Sequence, residues 1–534
     1  MTLNFPPEQR PLQTSGADQR APRIRAAELI GALSLATDLG VGEPLEHGLR
    51  TTVIAVRLAE ALRLAENIRH AVYYVSLLRY AGCTAESNID AALFGDEIAV
   101  RSVMLPAMFG SRAELFVTIA RKIRAGEPLR WRAAAIARAA VQLKSAFRKS
   151  SAGHCEVTQA LAKRLGLEPE IQAALGDLFE RWDGKGFPEG RRGEEIPLPV
   201  RLMQVAEDAD LQFGLGGSTR AVEVIGERAG SAFDPGIADA FRRRASDLLA
   251  GLDAPSIWDE AIAAEPGAPA ILQGPLLDEG LLVLADFADL KSPFTLGHSP
   301  AVAALAGAAG SHAGLGSAAC LTLRRAGLVH DLGRVAITAS IWNKAGPLSH
   351  DEEEKVRLHP YFTERVLKQP AFLEELGKIA CRHQERLDGS GYHRGARATE
   401  LSMPDRMLAA ASSYEAMIEP RPHRPARPRE EAAVLLRDEA RAGRLDAAAV
   451  SAVLEAAGHE AGAVAVSHPA GITSREAEVL RLLARGLLTK QIANRLGISP
   501  KTADRHIQHI YEKIGVSTRA GATLFAMQHG LLAI

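Results

Sequence analysis

The hydrophobic and polar positions repeat with a helical period along most of the chain. Apolar residues recur about every 3.6 positions in stretches rich in Ala, Leu, Arg and Glu, such as residues 55–64 and 133–143. Alternation of Val, Ile and Thr with polar residues, which is typical of strands, is scarce. The pattern therefore predicts an all-α protein. Residues 1–22 are rich in Pro, Gln, Arg and Ser without this period, which predicts a flexible tail.

Proline-rich and small-residue stretches divide the helical pattern into regions. Four prolines between residues 253 and 275 interrupt any helix that could join the flanking segments. A Gly, Ala, Ser and Pro segment at 459–470 has the composition of a linker. The predicted order is a tail at 1–22, a helical region at 23–252, a linker at 253–275, a second helical region at 276–458, the linker at 459–470 and a C-terminal helical region at 471–534.

The two long helical regions share internal spacings. His47 lies 33 residues before Tyr80, and His298 lies 33 residues before Asp331. Asp183 and Glu207 follow His154 by 29 and 53 residues, and Asp388 and Ser412 follow His359 by the same distances. The offset between the two regions is 251 residues for the first landmarks and 205 for the later ones, so the first copy carries a 46-residue insertion between residues 83 and 154. The sequence thus predicts a tandem repeat.

The second copy concentrates residues that suit a metal centre. An adjacent His330–Asp331 pair follows the apolar run AGLV, and a carboxylate can bridge two metal ions while an imidazole nitrogen binds one. The candidate metal ligands are His298, His330, Asp331, His359 and His383, and the candidate catalytic residues are His330, Asp331 and Arg334. In the first copy His47 and His154 remain, with Glu207 as a further carboxylate, and Arg79–Tyr80 stands where the second copy has His330–Asp331. The first copy is therefore predicted to bind no metal.

The second copy resembles the HD-GYP branch of the HD phosphohydrolases. The resemblance rests on His298, HDLGR at 330–334, HP at 359–360, RHQERLDGSGYH at 382–393 and ASSYEA at 411–416. It implies two HD-like helical repeats, the first degenerate, and a divalent metal such as iron or manganese in the second. By this alignment Arg382 replaces a family His ligand, Ser412 replaces a family Asp ligand, Arg334 replaces a Lys and His393 replaces a Pro. Arg382 is expected to bring a permanent positive charge to the site, which disfavours a second cation there.

The C-terminal region has the turn chemistry of a DNA-binding helix pair. We predict that Thr489 caps a short helix, that Gly497 ends it, and that Ser499 and Pro500 begin the next helix. Residues 472–534 carry nine Lys or Arg against four Asp or Glu, whereas the whole chain has a net charge of −1. The segment from ITSREAEVL to TRAGA resembles the LuxR-type helix-turn-helix, which implies binding to double-stranded DNA. The residues predicted to face DNA are Lys501, Thr502, Arg505, Gln508, His509 and Lys513.

Composition indicates a cytoplasmic protein without a membrane segment. Four cysteines without a CxxC motif indicate free thiols in a reducing compartment. No apolar run reaches about 18 residues, and the polar N-terminus lacks the layout of a signal peptide.

Two functions remain open at this stage. The first is a homodimeric transcriptional regulator whose HD-GYP-like region senses a nucleotide or another phosphate-bearing ligand, or mediates assembly. The alternative is a metal-dependent phosphohydrolase, of the cyclic-dinucleotide phosphodiesterase type, with a DNA-binding tail. The sequence favours the regulator, because the helix-turn-helix motif is intact while two metal-ligand positions are substituted.

Overall fold

Helices form nearly all of the regular structure, which confirms the all-α prediction. The computed structural model describes residues 22–110, 112–122, 129–458, 469–529 and 531–532. Residues 1–21 of the predicted tail and residues 459–468 of the second predicted linker lie outside this part of the chain. No helix in the described ranges is both long and apolar enough to cross a membrane.

The first copy begins with a short strand, β1 (Arg23–Arg25), and continues as helices. These helices are α1 (Ala26–Val41), α2 (His47–Ala61), α3 (Glu66–Leu77), α4 (Ser87–Phe94), α5 (Glu97–Met104), α6 (Arg112–Lys122), α7 (Leu129–Arg164), α8 (Pro169–Ala174), α9 (Leu198–Arg228) and α10 (Pro235–Leu248). The inserted residues of this copy form α4, α5, α6 and the first part of α7. Two glycines, Gly216 and Gly217, have non-helical backbone angles and kink α9.

The segment predicted to link the copies contains ordered structure. It forms α11 (Trp258–Ala263) and β2 (Ile271–Gln273), and β2 pairs antiparallel with β1 so that Ile24 faces Leu272. The buried Glu265 accepts hydrogen bonds from Arg25 (2.6 Å) and Tyr74 (2.6 Å). This segment is therefore attached to the first copy.

The second copy repeats the arrangement of the first without the insertion. Its helices are α12 (Pro275–Asp289), α13 (His298–His312), α14 (Ser317–Val329), α15 (Ala339–Trp342), α16 (His350–Arg357), α17 (His359–Leu367), α18 (Ala371–Ala380), α19 (Met403–Ile418), α20 (Arg429–Arg441) and α21 (Ala447–Ala457). Helices α2 and α13 each begin at the repeat histidine, and α9 and α19 begin 205 residues apart. The glutamates Glu180 and Glu385 each accept two backbone N–H bonds from the turn that follows them.

The two copies pack against each other around one continuous hydrophobic core. A fully buried ion pair crosses between them, with Lys291 Nζ 2.8 Å from Glu97 Oε1. Glu97 also accepts hydrogen bonds from Thr338 and from the backbone of Ala339. Because these partners satisfy both charges, the pair can be buried without leaving an unmatched charge.

The C-terminal domain is a four-helix unit with its own core. It comprises α22 (Ser474–Ala484), α23 (Thr489–Leu496), α24 (Pro500–Ile514) and α25 (Arg519–Gln528). The predicted start of α24 is confirmed, since Ser499 Oγ accepts a hydrogen bond from Thr502 N (3.1 Å). The prediction that Thr489 caps α23 is wrong. Leu488 is the N-cap residue, and its backbone N–H is satisfied by Gln491 (2.8 Å).

Helix α25 connects this domain to the first copy. Ala522 and Ala526 belong to the core of the C-terminal domain, whereas Ala520, Leu524 and Met527 are buried in the core of the HD region. One helix therefore contributes to two hydrophobic cores.

Candidate metal centre and DNA-binding surface

Three of the predicted metal ligands lie one to three residues after the end of a helix, and one of them, His359, is also the first residue of α17. His330, His359 and His383 follow α14, α16 and α18, and each side chain folds back to the last turn of its helix. Each donates Nδ1–H to the carbonyl oxygen three residues earlier: His330 to Gly327 (2.7 Å), His359 to Val356 (2.6 Å) and His383 to Ala380 (2.8 Å). This bond fixes the tautomer, so that Nε2 carries a lone pair directed away from the helix.

The fourth histidine is oriented by a carboxylate that sequence reasoning missed. His298 donates Nδ1–H to Glu419 Oε1 (3.0 Å), and Glu419 also pairs with Arg421 (2.9 Å). Glu419 follows α19 and is 121 residues from His298. No motif or repeat spacing marks this glutamate, so the contact emerges only from the packing of α13 against α19.

The side chain of Asp331 lies between the four histidines. Its Oδ2 is 3.5 Å from His298 Nε2 and 3.2 Å from His330 Nε2. Its Oδ1 is 3.4 Å from His359 Nε2 and 3.3 Å from His383 Nε2. All five residues are at most 1% exposed. Two three-residue groups therefore share one carboxylate, with one oxygen directed at each pair of histidines.

The donor atoms fit a pair of divalent metal ions. Ligand atoms bound to one metal at about 2.1 Å lie about 3.0 to 3.4 Å apart, close to the separations observed here. Among the described residues, His298 Nε2, His330 Nε2 and both oxygens of Asp331 accept no hydrogen bond, although Arg334 Nε forms an ion pair with Asp331 Oδ2. His359 Nε2 and His383 Nε2 are 3.1 Å apart, although the tautomers leave a lone pair on each nitrogen. Buried lone pairs that face one another are stabilised by a shared cation.

Electrostatics hold these side chains in the forms that bind metals. Burial lowers the pKa of His383 to about 3, and it also lowers the pKa values of His298 and His359. Burial alone would raise the pKa of Asp331, but the positive charge of Arg334 holds it well below its usual range. Neutral imidazoles and an ionised carboxylate are the states that metal coordination requires.

Arg382 does not bring its charge to this cluster, contrary to the expectation from sequence. Its Nη1 donates to Asp405 Oδ2 (3.1 Å) and to the Glu400 carbonyl (3.0 Å), and its side chain is 37% exposed. The cation at the site is Arg334, whose Nε lies 2.8 Å from Asp331 Oδ2. The guanidinium of Arg334 stacks on the Trp342 ring at 4.8 Å, and its buried Nη1 has no partner in the described structure.

The equivalent position in the first copy is closed by internal hydrogen bonds. Glu207 accepts from Arg79 Nε (2.7 Å) and from the Tyr80 hydroxyl, and His154 Nε2 donates to the Arg79 carbonyl (2.9 Å). Burial disfavours the charged form of His47, but the hydrogen bond to Asp210 (2.6 Å) and the charge of Asp210 raise its pKa to about 9. A protonated imidazole cannot bind a metal. Within the described residues, the two metal-ligating groups lie in the second copy.

Helix α24 presents most of the residues predicted to face DNA. Lys501, Thr502, Arg505 and Gln508 are exposed, and His509 is half-buried. Lys513 differs from the prediction, because its Nζ binds Glu476 Oε2 (2.6 Å) and the Gly471 carbonyl (3.0 Å). It fastens α24 to the first turn of α22 instead of extending toward a ligand.

Comparison with known families agrees with this architecture. The sequence model of the HD domain matches residues 132–237 and 282–449, and that of the luxR family of bacterial regulatory proteins matches residues 470–526. The chain belongs to the HD-domain family, and it carries a LuxR-type helix-turn-helix domain at its C-terminal end.

Several similar proteins are cyclic-dinucleotide phosphodiesterases. The 3′3′-cGAMP-specific phosphodiesterase 3 of Vibrio cholerae is 27% identical over 418 residues, which cover 77% of this chain and 90% of that protein. The 3′3′-cGAMP-specific phosphodiesterase 1 of the same organism is 34% identical over 31% of this chain and 38% of its own length. A cyclic di-GMP phosphodiesterase of Thermotoga maritima is 31% identical over 29% and 42%, respectively.

One solved structure shows the shared fold. The crystal structure of a cyclic GMP-AMP specific phosphodiesterase of V. cholerae aligns with a TM-score of 0.58 at 24% identity, and the match covers 82% of this chain and 99% of that one.

Proposed function

We propose that the protein is a metal-dependent phosphodiesterase acting on cyclic dinucleotides, with a C-terminal domain that binds double-stranded DNA. The observation that carries this proposal is the buried carboxylate of Asp331, shared between two pairs of histidines whose tautomers direct lone pairs toward it. The sequence alone favours a regulator, because two metal-ligand positions are substituted. The convergence of five ligands and the activity of the relatives favour the phosphodiesterase instead.

Each of the two ligand groups is proposed to hold one metal ion. His298, His330 and Asp331 would hold one ion, and Asp331, His359 and His383 would hold the other. Imidazole and carboxylate donors together suit iron or manganese. Such ions supply Lewis acidity toward a phosphodiester and activate a water molecule for in-line attack.

Arg334 is proposed to bind the phosphate. Its Nη1 is buried without a partner, and the Trp342 ring and Asp331 fix the plane of the guanidinium. A guanidinium donates charge-assisted hydrogen bonds to the non-bridging oxygens of a phosphodiester. The developing charge on those oxygens is then stabilised where water is largely excluded, which makes each donor worth more than in solution.

The LuxR-type domain supports a second role in transcription. The exposed Lys501, Arg505 and Gln508 are proposed to bind the major groove and its phosphates. A homodimer would place two copies of α24 about one helical turn of DNA apart. A cyclic dinucleotide bound in the second copy would then be both a substrate and a signal.

The test is hydrolysis by the full-length protein loaded with iron or manganese. Separate incubations with 3′3′-cGAMP and cyclic di-GMP are followed by chromatography of the linear product. We expect turnover of at least one of them, abolished by Asp331→Asn and reduced about 10²- to 10³-fold by Arg334→Met. Tyr80→Phe, at the position equivalent to Asp331 in the first copy, is the matched control and should retain activity. Metal-loaded protein that cleaves neither compound would refute the enzymatic proposal.

A further inference from the structure

A pocket lies beside the hydrogen-bonded position that corresponds to the metal centre in the first copy. It has a volume of about 450 Å³, and Tyr80 and His154, the equivalents of Asp331 and His359, line its floor. Helices α4 and α5 of the insertion form the opposite wall. The second copy has no counterpart of the insertion, so this wall is specific to the first copy.

The wall of the pocket is mainly apolar. The large side chains that line it are Leu93, Phe94, Met104, Met108, Phe147 and Phe179. Protein interiors are close-packed and contain few voids larger than a water molecule. A space of this size is within the range of small-molecule binding sites, and its apolar wall offers few partners to water.

One charged group in the pocket lacks a full set of partners. The side chain of Arg101 is 10% exposed, and its Nη2 donates to Asp90 Oδ2 (2.6 Å). Its Nη1 is buried and has no acceptor among the described residues, which costs free energy unless a bound group supplies one. Glu86 also lines the pocket, and burial raises its pKa to about 8, so its carboxyl is largely neutral and does not repel an anion.

We propose that this pocket binds a small apolar molecule that carries a carboxylate, with Arg101 Nη1 donating to the carboxylate. The apolar part lies among the side chains of α4, α5 and α7. This site is separate from the metal centre and does not depend on the proposed phosphodiesterase activity.

Helix α7 connects the pocket to the DNA-binding domain. Ser151 and His154 of α7 line the pocket, and two residues after His154 the side chain of Glu156 accepts hydrogen bonds from Ser517 N (2.7 Å) and the Thr518 hydroxyl. A Cβ atom at Gly153, which lies between Ser151 and His154, would be 2.4 Å from Glu86 Oε1 and 3.5 Å from Ala520 Cβ. The α7 backbone thus passes directly between a pocket-lining carboxyl and α25. A ligand that displaces Glu86 or α7 would therefore change how α25 of the DNA-binding domain packs against α7.

The test uses dodecanoate as the probe and dodecanol as its uncharged counterpart, titrated calorimetrically into the full-length protein. We expect saturable binding of dodecanoate at one molecule per chain, weakened at least tenfold in Arg101→Met. Dodecanol binding should be the same in Arg101→Met as in the unmodified protein. Arg325→Met is the matched control, because Arg325 is also buried and pairs with an aspartate, Asp278 (2.7 Å), in the second copy.

A second variant keeps the test informative if Arg101→Met fails to fold. Leu93→Trp fills the pocket while leaving Arg101 and Asp90 in the sequence, and it should abolish dodecanoate binding while thermal unfolding stays cooperative. Hydrogen exchange of the α25 amides should change on addition of dodecanoate to the unmodified protein and stay constant in Leu93→Trp. The proposal is overturned if dodecanoate shows no saturable binding, or if its binding survives both substitutions. Binding without any change in α25 would overturn the connection through α7.

Discussion

The contact between Glu156 and the start of α25 is proposed to hold the DNA-binding domain against the first copy. Thr518 is the N-cap residue of α25, and its hydroxyl accepts a hydrogen bond from Gly521 N (3.1 Å) while donating to Glu156. The carboxylate also accepts from Ser517 N (2.7 Å). A negative charge at a helix N-terminus is favourable because of the helix dipole. We therefore predict that Glu156→Ala loosens the domain from the first copy.

The magnitude follows from the two hydrogen bonds. A hydrogen bond to a charged group contributes about 1.5 to 3 kcal/mol. Because Glu156 is half-buried, we take the lower value for each bond, which gives about 3 kcal/mol for the pair. The undocked population should then rise about a hundredfold. The apolar contacts of Ala520, Leu524 and Met527 remain and should keep the docked form predominant.

Thiol labelling of Leu524→Cys measures this population. Leu524 is 1% exposed in the docked form, so a cysteine there reacts only when α25 separates from α7. The labelling rate should increase about a hundredfold when Glu156→Ala is added. Glu46→Ala is the matched control, since Glu46 accepts the same kinds of bonds, from Ser256 Oγ (2.6 Å) and Ile257 N (2.8 Å), far from α25. Equal labelling rates with and without Glu156→Ala would refute the reasoning.

Three further predictions concern single side chains. Arg505→Ala, and separately Lys501→Ala, should weaken binding to a selected DNA site by about 1–3 kcal/mol if the side chain reads a base, or lower the salt slope if it binds phosphate; unchanged affinity in both variants would remove α24 from this role. Lys513→Ala should lower the melting temperature of the C-terminal domain, because it removes the bond to Glu476; calorimetry that shows the same transition would contradict this. His47 has a folded pKa of about 9 against an ordinary value of 6.5, so its stabilisation is complete below about pH 6.5 and is lost as the pH rises through 9. Denaturant unfolding should show this loss between pH 6.5 and 9 in the unmodified protein and a smaller loss in His47→Gln; identical pH profiles would contradict the assignment.

The repeat and the metal centre could be predicted because the ligand positions recur at fixed spacings in the sequence. Equal spacings identified His298, Asp331 and His359 together, and the same spacings exposed the substitutions in the first copy. The C-terminal helices were predictable for a similar reason, since Ser499, Pro500 and Gly497 act on the backbone within a few residues of their own positions. Such signals are local or periodic, so they survive without knowledge of the fold.

Contacts between distant segments could not be predicted in this way. Glu419 reaches His298 across 121 residues, and Glu156 reaches Thr518 across 362. Arg382 aligned with a ligand position, but the nearby Asp405 and the Glu400 carbonyl draw its long side chain toward the surface. Lys513 likewise carries a positive charge that suits DNA binding, but its position on α24 places it beside Glu476. In each case, tertiary packing decides which partner a flexible charged side chain selects.

The two ligand groups that share Asp331 are proposed to hold two metal ions, and metal content measures this directly. Full-length protein purified with iron or manganese should contain about two ions per chain, as the two ligand groups require. The content should fall to near zero in Asp331→Ala and drop substantially in His330→Ala. It should remain unchanged in His47→Ala and His154→Ala. Protein without bound metal, or metal content that follows the histidines of the first copy, would contradict the account.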